Sequence, residues 1–360
     1  MNKFTRKTLV IGLLAASAGV AHASCSSLVP LYQSYLASYG PNDPLTIYYY
    51  NDALAQGCFG TPGAVGQSVV QGTSVQQVFS IFNAISSRPG SSSFGPSGLK
   101  TGQVESLSGV AAGGPASKWN AWASGGNTTQ RYSGGGVLGA HFNSDVMNMV
   151  VGGDYQVTPS IALGASAAFD NGDTRILNNS LNTTGYAVAP YLSWQINNAW
   201  SLDGTLGWGE GETKSGANTT DSRRYFSGAN LAYTQWKGDW QYSGKASLIH
   251  ASERSDDTRA AGVAIAGTGN KNKLTQFRLG AQVGYWANGV MPYVGLAWAQ
   301  DTSRTEQINN PWDKSALVLT AGVNFVSIKD NVTGGFMFTT EQGRRDAANY
   351  SWMANINLRF

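Results

Sequence analysis

From about Lys118 onward, apolar and small or polar residues alternate with a period of two, in segments of roughly ten to fifteen residues divided by turn residues. A strand sends successive side chains to opposite faces, so each segment predicts a β-strand with one apolar face. In 184–196, Tyr186, Val188, Pro190, Leu192, Trp194 and Ile196 share a face, against Gly185, Ala187, Ala189, Tyr191, Ser193 and Gln195. Residues 160–170 set Ile161, Leu163, Ala165, Ala167 and Phe169 against Ser160, Ala162, Gly164, Ser166, Ala168 and Asp170. The last eleven residues do the same, with Tyr350, Trp352, Ala354, Ile356, Leu358 and Phe360 on one side and Ser351, Met353, Asn355, Asn357 and Arg359 on the other.

Twelve strands are predicted, at 118–125, 146–157, 160–170, 183–196, 199–213, 222–236, 239–252, 273–286, 291–303, 314–327, 331–341 and 349–360. Their connections alternate in length. Those at 157–160, 197–198, 237–238, 287–289 and 329–330 are tight turns, whereas those near 126–145, 171–182, 214–221, 253–272, 304–313 and 342–348 are longer and polar. A soluble sandwich has no reason to segregate turns this way, but an outer-membrane barrel has short periplasmic turns and long extracellular loops. Aromatics beside the short turns (Trp194 with Trp200, Trp236 with Trp240, Trp286 with Tyr293) predict an interfacial girdle.

Residues 24–117 read differently. The stretch 24–72 has no period long enough to name and reads as a small irregular segment carrying Cys25 and Cys58. In 73–85, Val75, Val78, Phe79, Phe82 and Ile85 make a helical stripe behind a Thr73/Gln76 capping box. Arg88-Pro-Gly-Ser-Ser-Ser is a flexible linker, and Gln103–Ala112 is a second, shorter helical candidate. The expected organisation is therefore a leader at 1–23, the irregular segment at 24–72, a helix and linker at 73–117, and an all-β antiparallel transmembrane barrel at 118–360.

Composition narrows the picture. Lys3, Arg6 and Lys7, an apolar run over 9–20 and Ala21-His-Ala23 have the form of a secretory signal peptide. Without residues 1–23 the balance of 24 basic against 21 acidic residues becomes 21 against 21, which offers nucleic acid no electrostatic footprint. Only 12% of residues are charged and 45 are glycine, yet after residue 23 no apolar run is long enough for a spanning helix. A closed barrel is then the way for this chain to cross a bilayer with its backbone groups paired. Export places Cys25 and Cys58 where disulfides persist, and they are expected to pair, closing a loop of about 34 residues worth roughly 3–4 kcal/mol. The other reading, lipidation of Cys25, lacks the Leu of a lipobox three residues upstream.

In Lys118-Trp-Asn-Ala-Trp-Ala-Ser124, in Gln103-Val-Glu-Ser-Leu-Ser-Gly109 just before it, in Phe277–Tyr285 with Pro292–Trp298, and in the terminal Asn357-Leu-Arg-Phe360, the chain resembles the autotransporter (type V secretion) translocator domain over about residues 100–360. The resemblance implies a barrel of the Gram-negative outer membrane, embedded in its lipid and acting as a monomer. It also implies that Tyr350, Trp352, Ile356, Leu358 and Phe360 form the signal read by the outer-membrane barrel assembly machinery, and that the segment before the first strand lies in the lumen. A barrel of twelve strands has room for roughly one helix or extended segment. Family members carry large passengers; fewer than about a hundred residues precede the barrel here, and no repeat is visible among them. Either that segment is a much reduced passenger or the barrel acts alone.

Chemistry is sparse. Beyond the leader only His141 and His250 could serve a Ser-His-Asp arrangement. His250, near Glu253, Asp256 and Asp257, suggests an acid and imidazole cluster at the outer rim, but alternation with Tyr242, Ala246 and Leu248 turns it toward lipid. His141 sits beside Gly134–Gly136, which reads as loop flexibility. Asp256-Asp257 and Arg344-Arg345 read as solvated loop charge. No nucleophile elbow, metal-ligand spacing, P-loop or dinucleotide fingerprint is present, so no catalytic residue, cofactor, metal or small-molecule substrate is assigned. The leading expectation is a non-enzymatic translocator or surface-display barrel. The alternatives are a porin-like channel and a surface protease or lipid-modifying barrel enzyme.

Overall fold

The computed structural model describes residues 25–40, 43–46, 48–49, 118–132, 142–176, 179–216, 218–260, 262–264, 269–305, 313–327, 332–345 and 347–360. The chain divides into two compact units, residues 1–64 and 65–360. The expected leader, Cys58, the helices predicted at 73–85 and 103–112, the predicted linker, His141 and the predicted turn at Lys329-Asp330 lie outside the described residues.

In the first unit, the stretch expected to be irregular holds an α-helix, α1, over Cys25–Tyr39. Leu31, Tyr32, Tyr35, Leu36 and Tyr39 recur at helical spacing, a stripe that the nearby Pro30 obscures in the sequence. Tyr35 stacks on Tyr39 at 5.7 Å and meets Tyr49 at 5.0 Å.

The second unit contains twelve long strands among the described residues: β1 (Trp119–Tyr132), β2 (Phe142–Thr158), β3 (Ile161–Ile176), β4 (Asn179–Gln195), β5 (Trp200–Ser215), β6 (Asn218–Lys237), β7 (Trp240–Ser255), β8 (Asn270–Tyr285), β9 (Val290–Arg304), β10 (Ser315–Ser327), β11 (Val332–Gln342) and β12 (Ala347–Arg359). Each pairs antiparallel with its sequence neighbours. Pairing of β1 with β12, from Asn120↔Arg359 to Tyr132↔Ala347, closes the sheet into a barrel and removes its edges. The bond from Phe360 N to Trp119 O places the start of β1 and the end of β12 at one rim.

The short turns share that rim. Asn288 (φ 48°) and Gly289 (φ 92°) take the two left-handed positions of a tight hairpin between Ala287 and Val290. In the turn before β5, the Asn197 carboxamide accepts from the backbone of Ala199 and Trp200, each at 2.9 Å. At the opposite rim the strands run further than alternation predicted: the expected 171–182 loop is a continued ladder from Asn171↔Thr184 to Ile176↔Asn179. Past the bilayer the outward Asn171, Asp173 and Arg175 are as polar as the buried, inward Thr174 and Thr183, so the apolar/polar contrast vanishes while backbone pairing persists.

The two faces are inverted relative to a soluble protein. Outward positions carry exposed Leu279, Val294, Trp298, Leu319, Phe338 and Ile356, whereas Asp170, Arg224, Glu253 and Asn355 are buried inside. Polar groups inside and apolar groups outside make the exterior the lipid surface. A girdle ring does sit at the short-turn rim, built from the register pairs Trp119 with Tyr155, Trp200 with Tyr233 and Trp240 with Tyr285, at ring separations of 4.9–5.0 Å. Three residues expected in that girdle belong elsewhere. Trp236 has the parity of buried Ala232 and Thr234, Trp286 that of buried Gln282 and Gly284, and Tyr293 is itself buried, so all three face the lumen.

Candidate functional site

With lipid outside, the groups that can meet cargo or solute line the lumen. They fall into three layers from the short-turn rim to the long-loop rim.

Near the short-turn rim, Trp122 Nε1 donates to Tyr191 Oη at 2.8 Å. Tyr191 Oη in turn donates to Asp154 Oδ2 at 2.9 Å, and Asn120 Nδ2 donates to the same oxygen at 3.2 Å. The chain of bonds ties β1, β2 and β4 together. Both rings can lie flat because each faces a glycine in register: Trp122 covers Gly152 and Tyr191 covers Gly164, where a Cβ would overlap the ring. Phe226 over Gly207 and Tyr293 over Gly322 repeat the device. Flat rings keep the wall thin, which bulky upright side chains would not.

In the next layer, Arg224 of β6 runs along the wall over Gly211 and Gly185, two glycines whose missing side chains leave its path open. Its Nη1 donates to both Asp170 carboxylate oxygens, at 2.8 and 3.0 Å, and its Nε to Glu253 Oε1 at 3.4 Å. All three side chains are at most 1% exposed. Such a triad is costly to desolvate and costlier to break, because any orphaned charge stays buried.

At the long-loop rim, Arg344 clasps Asp301 through two nitrogens, Nη1 to Oδ2 at 2.7 Å and Nη2 to Oδ1 at 3.1 Å, while its Nε donates to Glu341. Arg304 joins Asp301 at 3.2 Å, Gln276 donates to it at 2.7 Å, and Arg344 also donates to the Asp313 carbonyl at 2.7 Å. Burial would pull the Arg344 guanidinium down, but the carboxylates of Glu341 and Asp301 hold it above its ordinary range. Arg344 was expected to be solvated charge; it is instead the clamp between β9, β11 and the loop before β12.

On the β1, β11 and β12 side the wall is polar without being locked. Both amide atoms of Asn355, with Thr128 Oγ1 and Thr333 Oγ1, are buried and make no hydrogen bond with the described residues. Such groups are costly unless something satisfies them.

The other predicted positions fall as follows. Tyr350, Trp352, Ile356, Leu358 and Phe360 all point outward and are exposed. The acid and imidazole cluster does not assemble: His250 faces out with Nδ1 2.9 Å from Thr275 Oγ1, while Glu253 faces in toward Arg224. Asp256 pairs with Arg223 and Asp257 accepts from Gly269 N. Cys25 lies in α1, and Cys58 lies outside the described residues. Sequence reading missed Arg224, Asp170 and Glu253 as a group, although each carries lumenal parity on its own strand.

Comparison with known proteins agrees with this geometry. The model of the autotransporter beta-domain matches residues 121–336. The translocator domain of autotransporter NalP from Neisseria meningitidis superposes with a TM-score of 0.58 at 12% identity, covering 72% of this chain and 94% of that one. The beta domain of the Bordetella autotransporter BrkA gives 0.55 at 17% identity, covering 68% and 100%. A search of curated protein sequences found no match.

Proposed function

Because the chain belongs to the autotransporter β-domain family, we propose that this outer-membrane barrel is a translocator that carries its own amino-terminal segment, residues 24–117, into or through its lumen and does no catalysis. One observation carries the reading. The wall formed by β1, β11 and β12 presents buried amide and hydroxyl groups that no described residue satisfies, with Asn355 offering a donor and an acceptor together. A polypeptide backbone has the same donors and acceptors at every residue, so it can satisfy such a wall in many registers. A porin that only passes solutes would hold these groups in water. Residues 24–117 thus act as a reduced passenger, with Cys25 and Cys58 joined in a disulfide that staples its tip. The outward residues Tyr350, Trp352, Ile356, Leu358 and Phe360 form the segment read by the assembly machinery, and the closed barrel works as a monomer.

The test is single-cysteine labelling along residues 60–117 in intact cells with a membrane-impermeant maleimide, in a chain whose Cys25 and Cys58 are serine. Labelling from outside, or protection that ends only on unfolding the barrel, is expected. Reagent access only from the periplasm, at every position, would overturn the reading.

A further inference from the structure

We propose that the outer surface of β6, β7 and β8 at the long-loop rim is a binding site for a phosphorylated glycolipid of the outer leaflet. The register lays four outward rows one above another across these strands. The lowest is apolar, Ala229↔Leu248↔Phe277, and above it lie Ser227↔His250↔Thr275. The third row is Tyr225↔Ser252↔Lys273, and the fourth is Arg223↔Arg254↔Lys271.

Three cations thus stand side by side on adjacent strands, with Lys273 one step below. Like charges directly opposite one another destabilise a sheet, so an unneutralised row of this kind is a liability. Arg223 has Asp256 at 3.4 Å, and Glu210 stands in register beside it, already accepting from Tyr186 Oη. Arg254, Lys271 and Lys273 are exposed and make no ion pair with the described residues.

Position selects the partner. Six residues along a strand tilted by about 40° lift the cation row roughly 15 Å above Leu248, from the hydrocarbon edge into the headgroup layer. The face grades from apolar through hydroxyl and imidazole to cationic, which matches a lipid whose acyl chains, sugars and phosphates follow in that order. Elsewhere along the described outer rim acids accompany the bases: the row Arg131↔Asn143↔Arg175 stands one step above Asp145↔Asp173, and Lys214 is paired with Glu212 at 2.6 Å. Among the described residues, the β6–β8 row is where three cations stand on adjacent strands. Basic residues at a membrane surface each add to anionic-lipid affinity.

The experiment uses the full chain, folded in detergent, and native mass spectrometry or displacement of a fluorescent lipid to measure binding of bisphosphorylated lipid A. The variant R223Q/R254Q/K271Q/K273Q should bind at least about a hundredfold more weakly, and K271Q alone a few-fold more weakly. The control K214Q/K237Q, which removes cations outside these rows, should lose less than about threefold. Dephosphorylated lipid A should bind the unaltered chain as poorly as the quadruple variant binds the intact lipid. Equal affinity of the quadruple variant and the unaltered chain, equal binding of phosphorylated and dephosphorylated lipid, or full displacement by millimolar inorganic phosphate would each overturn the proposal. Should the quadruple variant not fold, K271Q and the dephosphorylated lipid decide the outcome.

Discussion

Arg224 on β6 clasps Asp170 on β3 across two intervening strands, and it does so over a floor of two glycines, Gly211 and Gly185. With Glu253 at the longer distance of 3.4 Å, the triad holds one base and two acids in a buried layer of the wall. The acids are therefore unequal. Asp170→Asn removes the short, two-pronged acceptor and should cost roughly 3 kcal/mol. Glu253→Gln removes the excess negative charge and should cost less than about 1 kcal/mol. Urea unfolding of the folded barrel, followed by Trp fluorescence, measures both; equal losses would mean that the triad is not organised around the Arg224–Asp170 bond.

Flat aromatics on glycines lead to a second prediction. A Cβ at Gly164 overlaps the Tyr191 ring, and Tyr191 cannot swing away without giving up its bonds to Trp122 and Asp154. Gly164→Ala should destabilise by about 1–3 kcal/mol. Gly204 is a matched control, because the nearest atom to its would-be Cβ is 4.0 Å away. Gly204→Ala should be neutral in the same unfolding experiment.

The pattern of the sequence made some of this visible and hid the rest for physical reasons. Inside the bilayer the media on the two faces differ, so parity could be read residue by residue, as in Tyr186 to Ile196 and Tyr350 to Phe360. Above it the outward residues are polar like the buried inward ones, and the ladder from Asn171 to Ile176 left no apolar trace of its period. Trp236 and Tyr293 misled because an aromatic beside a turn can point either way, and only its parity against neighbours such as Thr234 or Met291 decides. The Arg224 triad joins residues 29 and 54 positions apart, which no local pattern encodes, although the lumenal parity of each charge was available as a signal. In the first unit the stripe from Leu31 to Tyr39 was masked by Pro30.

The terminal strand provides a third prediction. Phe360 is 69% exposed at the end of an outward row and contributes its backbone N–H to barrel closure, so its ring is available to another protein before insertion. Phe360→Ala should leave the stability of the folded barrel nearly unchanged while lowering its level in the outer membrane several-fold. Fractionation of cells and unfolding of the purified barrel check the two halves, and unchanged membrane levels would count against an assembly role.

The central claim is that the lumen holds this chain's own amino-terminal segment, and a cross-link reads it directly. Asn355→Cys, in a chain with Cys25 and Cys58 replaced by serine, places a thiol among the unsatisfied lumenal groups, and a second cysteine is walked along residues 100–117. Oxidation of the folded barrel in outer membranes should give an intramolecular disulfide at positions recurring within that stretch, and none with Ile356→Cys, whose side chain faces lipid. Absence of any cross-link to Asn355→Cys across the whole walk, or equal cross-linking to Ile356→Cys, would contradict the account.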